Sequence, residues 1–229
     1  MAIPEEYEVK PIEKAEAVPW LLYKHYAKCV PTIDWAFGIF HENQCVGVCM
    51  FGRSPNYNLN DGGFFFGKDI RVPVRELNRL VVNDNLPQNT LSSFVSTCSH
   101  FLPRPLCLVS YADPNYGHHG YIYQALGWIY TGESSGEPIW IAPNNTVYRR
   151  RHVHLKVGLP TEDSAAMIAM GWNKKKQAPK HRYLKFLGNK KQIREMIKHL
   201  RLPILPYPKG DNQRYDASYE PKQRKRFFT

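Results

Sequence analysis

The sequence lacks the features that mark secreted and membrane proteins. No apolar run reaches the ~20 residues that a membrane-spanning helix needs. The N-terminus holds Glu5, Glu6 and Glu8, where a signal peptide would be basic and then apolar. The five cysteines are odd in number and show no CxxC spacing, which is typical of thiols that stay reduced. We therefore expect a soluble cytoplasmic protein without membrane contacts.

Glycine is missing where cofactor loops need it. A methyltransferase needs a glycine-rich turn between a strand and a helix. Here the pair Gly62-Gly63 leads into Phe64–Phe66 and not into a helix, so this enzyme class is rejected. Residues 53–69 are rich in Asn and Gly, and we expect a loop over a pocket. The segment Asn83–Thr90 contains no Gly, Lys or Arg.

Basic charge is confined to the second part of the chain. Residues 1–148 hold 10 Lys and Arg against 14 Asp and Glu, a net charge of −4. Residues 149–229 hold 21 against 6, a net charge of +15. Such segregation indicates a surface that faces a polyanion. We expect a core at 1–148 and a basic extension at 149–229 that completes the domain, with a flexible tail from about residue 209.

Strands and helices alternate along the chain, which predicts a mixed α/β sheet flanked by helices. Predicted helices cover Ala17–Lys28, the segment after Asn89 and Lys190–Leu200. The helix after Asn89 has an apolar stripe of Leu91, Phe94, Val95, Cys98, Phe101 and Leu102. Predicted strands cover Trp35–His41, Gln44–Phe51, Glu76–Val82, Leu106–Ser110, 128–131, 138–142, 147–157 and 180–188.

Residues 108–128 place polar side chains at the end of a strand. The apolar strand Leu106–Ser110 leads to Tyr111 and to Asp113 on a turn. A short helix then begins after Gly120 and ends at Gly127. Ligands of open sheets bind at the carboxyl ends of strands, so we expect a functional site here.

The segment IYQALGW at 122–128 resembles a helix of the GNAT acetyltransferase superfamily. The resemblance implies that Tyr123 is the acid for a leaving thiolate; the alternative is an ordinary helix with a glycine C-cap. Residues 76–96 lie where that superfamily has its central strand, pyrophosphate loop and long helix. A coenzyme A thioester is thus one candidate for a small-molecule donor. Its candidate binding residues are Asn89, Thr90, Ser92 and Ser93.

Over most of its length the chain is similar to the phage Mom family of DNA adenine-modification proteins. The motifs that carry the resemblance are YKHYAK (23–28), ELNRLVV (76–82), YADPNYGHHGYIYQALGWIYTGES (111–134), KHRYLKFLG (180–188) and PYPKG (206–210). The resemblance implies a GNAT-like fold. It also implies that the protein acts in the cytoplasm of the bacterial host. It implies that the exocyclic amine of adenine in double-stranded DNA becomes a carbamoylmethyl (acetamido) derivative, which protects phage DNA from restriction. The matching functional residues are His25, Tyr26, Arg79, Tyr111, Asp113 and Tyr123.

The turn at Asp113-Pro114-Asn115-Tyr116 is close to the D-P-P-Y pattern with which amino-methyltransferases hold a flipped base. There a carboxylate or a backbone carbonyl accepts a hydrogen bond from the exocyclic amine, and the aromatic ring stacks on the base. The alternative is an ordinary Asp-Pro-Asn turn. In the functional interpretation Asp113 is a hydrogen-bond acceptor or a general base. Tyr111 and Tyr123 stack on the base or donate to the leaving group, and His25 orients either.

Arg79 lies within a mostly apolar predicted strand, where an arginine is costly to bury unless it is paired. It either pairs with a carboxylate such as Asp113 or Glu76, or binds the donor. Metal binding is also open. His118 and His119 with Asp113 are candidate ligands, iron is one candidate metal, and surface or capping histidines are the alternative.

The basic part of the chain carries aromatic residues between its charges, a pattern that favours nucleic-acid contact over a merely solvated surface. The candidate DNA-binding residues are Arg149, Arg150, Arg151, Lys174, Lys175, Lys176, Lys180 and Arg182. Three functions stay open: a DNA adenine-modifying enzyme, a GNAT enzyme that acylates a small amine or a protein, and a non-catalytic nucleic-acid-binding protein. The donor, the DNA sequence context and the oligomeric state, for which a homodimer is one option, also stay open.

Overall fold

The computed structural model describes most of the chain. The described residues are 3–84, 86–136, 138–149, 153, 158, 164–176 and 178–210. The candidate DNA-binding residues Arg150 and Arg151, and the predicted flexible tail from residue 211 onward, lie outside the described residues.

Strands and helices alternate as predicted. The strands are β1 (Tyr7–Pro11), β2 (Trp35–His41), β3 (Gln44–Gly52), β4 (Val74–Val82), β5 (Leu106–Ala112), β6 (Ile129–Glu133), β7 (Pro138–Ile141), β8 (Val147–Arg149), β9 (Asn173–Lys176) and β10 (His181–Leu187). The helices are α1 (Lys14–Pro19), α2 (Tyr57–Asn60), α3 (Gly63–Phe66), α4 (Thr90–His100), α5 (Tyr121–Ala125), α6 (Ser164–Ala169) and α7 (Lys190–Lys198). A π-helical turn, Trp20–Lys24, continues α1, and a 3-10 turn spans Pro114–Tyr116.

The main sheet is mixed and has the order β1-β2-β3-β4-β5-β10-β6. Neighbouring strands are antiparallel except for β4 and β5, which run parallel. The pairing of β4 with β5 ends at Glu76 and Val109, although β4 continues to Val82 and β5 to Ala112. The two strands therefore diverge toward their carboxyl ends and open a wedge in the sheet. β10, from the predicted basic extension, is an inner strand of this sheet.

Helices cover both faces of the sheet. On the first face, Phe94 and Cys98 of α4 and Tyr123 of α5 pack against the strands. This agrees with the sequence of α4, in which apolar side chains recur about once per helical turn and so lie on the face toward the sheet. The second face is covered by the π-helical turn, α3 and α7. Their buried side chains include Trp20, Leu21, Phe65, Phe66 and Met196.

A second, three-stranded sheet has the order β8-β7-β9. Its small core contains Trp140, Met167 and Trp172. All four residues of β9, Asn173–Lys176, are exposed. This sheet thus presents a row of lysines to solvent.

Several predicted boundaries were wrong. The predicted helix Ala17–Lys28 begins at Lys14 and its helical turns end at Lys24. The predicted loop 53–69 contains α2 and α3, because Gly62 adopts a left-handed conformation that starts a turn of helix at Gly63. Phe101, assigned to the apolar stripe of α4, is half exposed beyond the helix end.

Within the described part of the predicted strand 147–157, Val147–Arg149 form a strand and Val153 is helical. The other residues from 150 to 157 lie outside the described residues. Among the residues that the structure does describe, none of the helices is both long enough and apolar enough to cross a membrane.

Candidate active site

The wedge between β4 and β5 is bridged by a buried serine hydroxyl. Ser110 Oγ donates to the carbonyl of Leu77 at 2.8 Å and lies 2.7 Å from Tyr123 Oη, with which it makes a second hydrogen bond. Burial raises the pKa of Tyr123. The tyrosine therefore stays protonated. Because the one hydroxyl proton of Ser110 goes to the carbonyl of Leu77, Tyr123 is the donor in its hydrogen bond with Ser110.

Asp113 follows β5 directly and lies at the rim of the wedge, only 2% exposed. Its Oδ2 lies 2.8 Å from Lys180 Nζ. Its Oδ1 accepts from the main-chain N–H (3.0 Å) and the side-chain amide (2.7 Å) of Asn115. Burial by itself would raise the pKa of Asp113, but Lys180 and Asn115 outweigh it and the pKa is lowered. Asp113 is thus a fixed carboxylate rather than a strong base.

Three aromatic rings stack beside Asp113. The ring centroids of His25 and Tyr26 lie 4.3 Å apart, and those of Tyr26 and Tyr116 lie 4.2 Å apart. His118 meets Tyr26 edge-on at 5.6 Å. Tyr116 ends the stack and is 44% exposed, so a planar ligand can reach its ring from solvent.

His25 is the buried end of this row of rings. Its Nδ1 accepts from the main-chain N–H of Ala27 at 3.0 Å, which assigns the ring proton to Nε2. Burial, together with the cations of Arg79 and Lys180 and with His118, lowers the pKa of His25 to about 3. The residue is therefore a neutral imidazole at physiological pH.

Arg79 is held by backbone and sulfur rather than by Asp113. Its guanidinium donates to the carbonyl of Asn78 (2.5 Å), and to the carbonyl (3.3 Å) and Sγ (2.9 Å) of Cys29. The Nε atom is buried and makes no hydrogen bond within the described part of the chain. An unsatisfied buried donor costs roughly 1–3 kcal/mol, so a ligand atom that accepted from Nε would be stabilised here.

Tyr111 lies apart from these residues. It points to the second face of the sheet, whereas its neighbour Ser110 belongs to the first face. Burial, followed by the nearby Glu76, raises the pKa of Tyr111 to about 12. Its cross-strand partner is Arg182. The structure therefore does not bring Tyr111 together with Tyr123.

The candidate cofactor residues Asn89, Thr90, Ser92 and Ser93 all lie at the N-terminus of α4. The main-chain carbonyl of Asn89 accepts from the N–H of Ser93 at 3.0 Å and from the hydroxyl of Ser92 at 2.9 Å. The hydroxyls of Thr90 and Ser93 are buried and have no hydrogen-bond partner among the described residues. A helix N-terminus carries a partial positive charge, so these hydroxyls are suited to donate to an anion.

The described residues contain no complete site of the kind that the metal hypothesis requires. No group of three or more His, Cys, Asp or Glu side chains in the described ranges is arranged to hold an ion. His118 and His119 diverge: His118 packs on Tyr26, and His119 packs near His181 at 5.8 Å. The pKa of His118 is lowered, mainly by burial, and the imidazole is therefore neutral near pH 7.

The candidate DNA-binding residues have different environments. Lys174, Lys175 and Lys176 are exposed on β9, and Arg149 belongs to β8. Lys180 is bound to Asp113.

Arg182 does not fit a phosphate-contacting role. It is buried, and its guanidinium donates to the hydroxyl (3.0 Å) and the carbonyl (2.9 Å) of Thr131. These donors face the interior because β10 is an inner strand whose residues are buried on both faces of the sheet.

Sequence reasoning missed two members of the site. Ser110 was treated only as the end of an apolar strand, although a hydroxyl in a fully buried strand needs a partner. Lys180 was assigned to DNA because it lies among basic residues. The antiparallel pairing of β10 with β5 places it opposite Asp113, which no local signal in the sequence indicates.

The mixed sheet, with its wedge between two parallel strands and a buried tyrosine at that wedge, defines a GNAT-like transferase fold. The chain belongs to the Mom protein family, whose model matches residues 6–209. It is 25% identical over 200 residues to "Methylcarbamoylase mom" of Escherichia phage Mu, covering 81% of this chain and 77% of the phage Mu protein. Both findings confirm the resemblance that the sequence motifs indicated.

Solved structures similar to this chain include a GNAT family acetyltransferase from Elizabethkingia anophelis with acetyl-CoA bound. It has 10% identity and a TM-score of 0.44, and covers 80% of this chain and 100% of its own. An acetyltransferase from Thermus thermophilus has 13% identity and a TM-score of 0.41, and covers 82% of this chain and 100% of its own.

Proposed function

We propose that the chain is a DNA-modifying transferase that converts the exocyclic amine of adenine in duplex DNA to a carbamoylmethyl (acetamido) derivative. The modification would protect phage DNA from restriction in the bacterial cytoplasm. Its main support is the pairing of the fixed carboxylate of Asp113 with the exposed ring of Tyr116 at one rim of the wedge. Membership of the Mom family also supports this proposed function.

Asp113 and Tyr116 together form a place for an extruded base. An enzyme that acts on the amine of adenine must take the base out of the helix. The ring of Tyr116 offers a stacking face, and stacking on an aromatic side chain contributes ~1–3 kcal/mol per base. A carboxylate with a lowered pKa accepts hydrogen bonds at all physiological pH values, so Asp113 is suited to accept from the exocyclic amine.

The exocyclic amine of adenine is a poor nucleophile because its lone pair is delocalised into the purine ring, so an acceptor must take its proton as the new bond to the nitrogen forms. His118 is the better candidate than Asp113. Its imidazole is neutral near pH 7 and lies beside Tyr26 and Tyr116. General-base help contributes ~10²–10⁴-fold to a rate. Tyr123, which its raised pKa keeps protonated, would donate its hydroxyl proton to the leaving group of the donor.

The unsatisfied hydroxyls of Thr90 and Ser93 fit a donor that carries an anionic group, such as a coenzyme A thioester. These two residues would hold the pyrophosphate in place of the missing glycines and basic residues. The carbamoylmethyl product has a nitrogen–methylene bond, so the bound donor would supply a –CH2–CO–NH2 group: the amine nitrogen bonds to the methylene carbon while the bond from that carbon to the leaving group breaks. Acyl transfer from a thioester carbonyl would give an amide instead. Arg79, with its unsatisfied Nε, would orient the carbonyl of the transferred group.

The test is mass spectrometry of nucleosides from the DNA of cells that express the chain. Wild type is expected to yield carbamoylmethyl-adenine, and Asp113→Asn almost none. Asp69→Asn changes an exposed aspartate remote from the site in sequence and serves as the matched control. Modified adenine at wild-type level in Asp113→Asn would remove Asp113 from the proposal. Unmodified DNA with intact DNA binding would favour a non-catalytic binding protein, and acylated amines or proteins a GNAT acyltransferase.

A further inference from the structure

The C-terminal segment Pro206–Gly210 has no role in the chemistry above, yet it is tied firmly to α5. Tyr207 Oη donates to the carbonyl of Trp128 at 2.8 Å. The amide of Gln124 donates to the carbonyl of Pro208 at 3.2 Å. Gly210 lies so close to the imidazole of His119 that a Cβ there would be 2.5 Å from Nε2. The segment thus has a defined position against α5 and the preceding turn.

Between this segment and α5 lies a groove with a volume of about 490 Å³. This volume is within the ~300–1,000 Å³ of small-ligand pockets. Its walls include the rings of Tyr121, Tyr207 and His119, and Lys209 lies at one side. None of the lining residues is acidic. The groove is therefore suited to a planar ring that carries a negative charge.

Tyr121 is the most exposed ring of the groove, at 68%, and Tyr207 is 41% exposed. Two accessible tyrosines with an adjacent lysine form the combination that binds single-stranded nucleic acid: rings for the bases and a cation for the phosphates.

The groove and the candidate active site share one wall, the turn at residues 117–120. His118 on this turn packs against Tyr26 of the active site, whereas the adjacent His119 faces the groove. Gly120 cannot carry a side chain there, because a Cβ would collide with the ring of Tyr183. The groove therefore adjoins the candidate active site across this turn.

We infer that this groove binds an unpaired nucleotide next to the modified adenine, with its base on Tyr121 and its phosphate on Lys209. This inference rests on the proposal that the chain acts on DNA. It assigns a second nucleotide-binding site outside the reaction centre. By holding the neighbouring nucleotide, the groove would keep the target base out of the helix.

The inference can be tested by fluorescence anisotropy with labelled oligonucleotides, which needs neither donor nor catalysis. The probes are a single strand and a fully paired duplex of the same sequence. Tyr121→Ala is expected to weaken binding of the single strand about tenfold and binding of the duplex less, because a paired duplex must first release a nucleotide before that nucleotide can enter the groove. Tyr121→Phe keeps the ring and is expected to bind like wild type. Tyr57→Ala, which removes an 83% exposed tyrosine of α2, is the matched control.

Lys209→Gln is expected to reduce the salt dependence of single-strand binding by about one phosphate contact. Wild-type affinity of Tyr121→Ala for the single strand would overturn the inference, and so would an equal loss for single strand and duplex. Competition by free adenosine monophosphate as effective as by the oligonucleotide would reassign the groove to a soluble nucleotide. Because adenine modification is measured separately, these failures leave the proposed reaction standing.

Discussion

Lys180 Nζ lies 2.8 Å from Asp113 Oδ2, and the two residues flank the antiparallel pair β10 and β5, beside the paired residues His181 and Ala112. Asp113 is almost fully buried, while Lys180 is partly exposed. Removing one partner of a buried ion pair leaves the other charge without compensation. This pair therefore connects the stability of the fold with the charge state of the candidate active site.

Lys180→Met is expected to lower the free energy of unfolding by about 2 kcal/mol, less than for a fully buried pair because Lys180 is partly exposed. Lys180→Arg should retain most of this unfolding free energy. The effect should depend on pH. Since the folded-state pKa of Asp113 is lowered, the contribution is complete above the pKa of an unfolded aspartate, ~3.9, and is lost as pH falls through the folded pKa. Urea unfolding between pH 7 and pH 3 measures it; a difference between wild type and Lys180→Met that did not shrink in acid would contradict this origin.

Tyr123→Phe separates packing from chemistry at the wedge. The variant keeps the ring and loses the hydrogen bond with Ser110, which is expected to cost about 1 kcal/mol of unfolding free energy. Adenine modification should fall ~100-fold if the hydroxyl is the acid. Ser110→Ala removes this hydrogen bond and also the one to the Leu77 carbonyl, but it keeps the tyrosine hydroxyl, so it should lose more stability than Tyr123→Phe and retain most activity. Equal activity losses in both variants would indicate a structural role only.

Arg79→Lys keeps the charge but loses the planar guanidinium. We expect at least about tenfold less modified adenine, because the lysine cannot contact Cys29 and the donor at the same time. Arg75→Lys, at an arginine that pairs with Asp34 at 2.7 Å, is the control for strand β4. A normal modification rate in Arg79→Lys would leave Arg79 with a structural role.

Lys174, Lys175 and Lys176 are expected to bind phosphates without selecting sequence. Replacing all three with Gln should weaken duplex binding and reduce the slope of log affinity against log salt by about two to three. The matched control is the triple Gln variant at Lys190, Lys191 and Arg194 of α7, which removes the same charge from another exposed surface. Unchanged binding of the β9 variant across a salt titration would remove this strand from the DNA interface.

The candidate site was predictable where its chemistry is local. The turn at Asp113–Tyr116 was recognisable because a proline and short polar residues favour turns, and the structure shows Asp113 accepting from Asn115 as in an Asx turn. The glycine at position 120 was recognisable as the start of a helix, and its positive φ of 81° explains the residue type. These features depend on neighbours in sequence.

The roles of Tyr111, Lys180 and Arg182 were not predictable in the same way. Tyr111 and Ser110 are adjacent in sequence but point to opposite faces of the sheet. Arg182 resembles its basic neighbours in composition, but it is buried and holds Thr131. The environment of each of these side chains depends on the position of β10 in the sheet, and long-range strand pairing sets that position.

The mixed α/β class, the polar turn at the end of β5, the segregation of basic charge and the family can all be read from the amino-acid sequence, because each follows from a local pattern or from motifs in order. The position of β10 between β5 and β6, and hence the contact of Lys180 with Asp113, is visible in the folded protein alone. The tertiary structure also decided that Ser110 joins Tyr123 to the wedge and that Pro206–Gly210 closes a groove on α5. The physical reason is that these contacts join residues far apart in the chain, and their free energy comes from packing that no local propensity encodes.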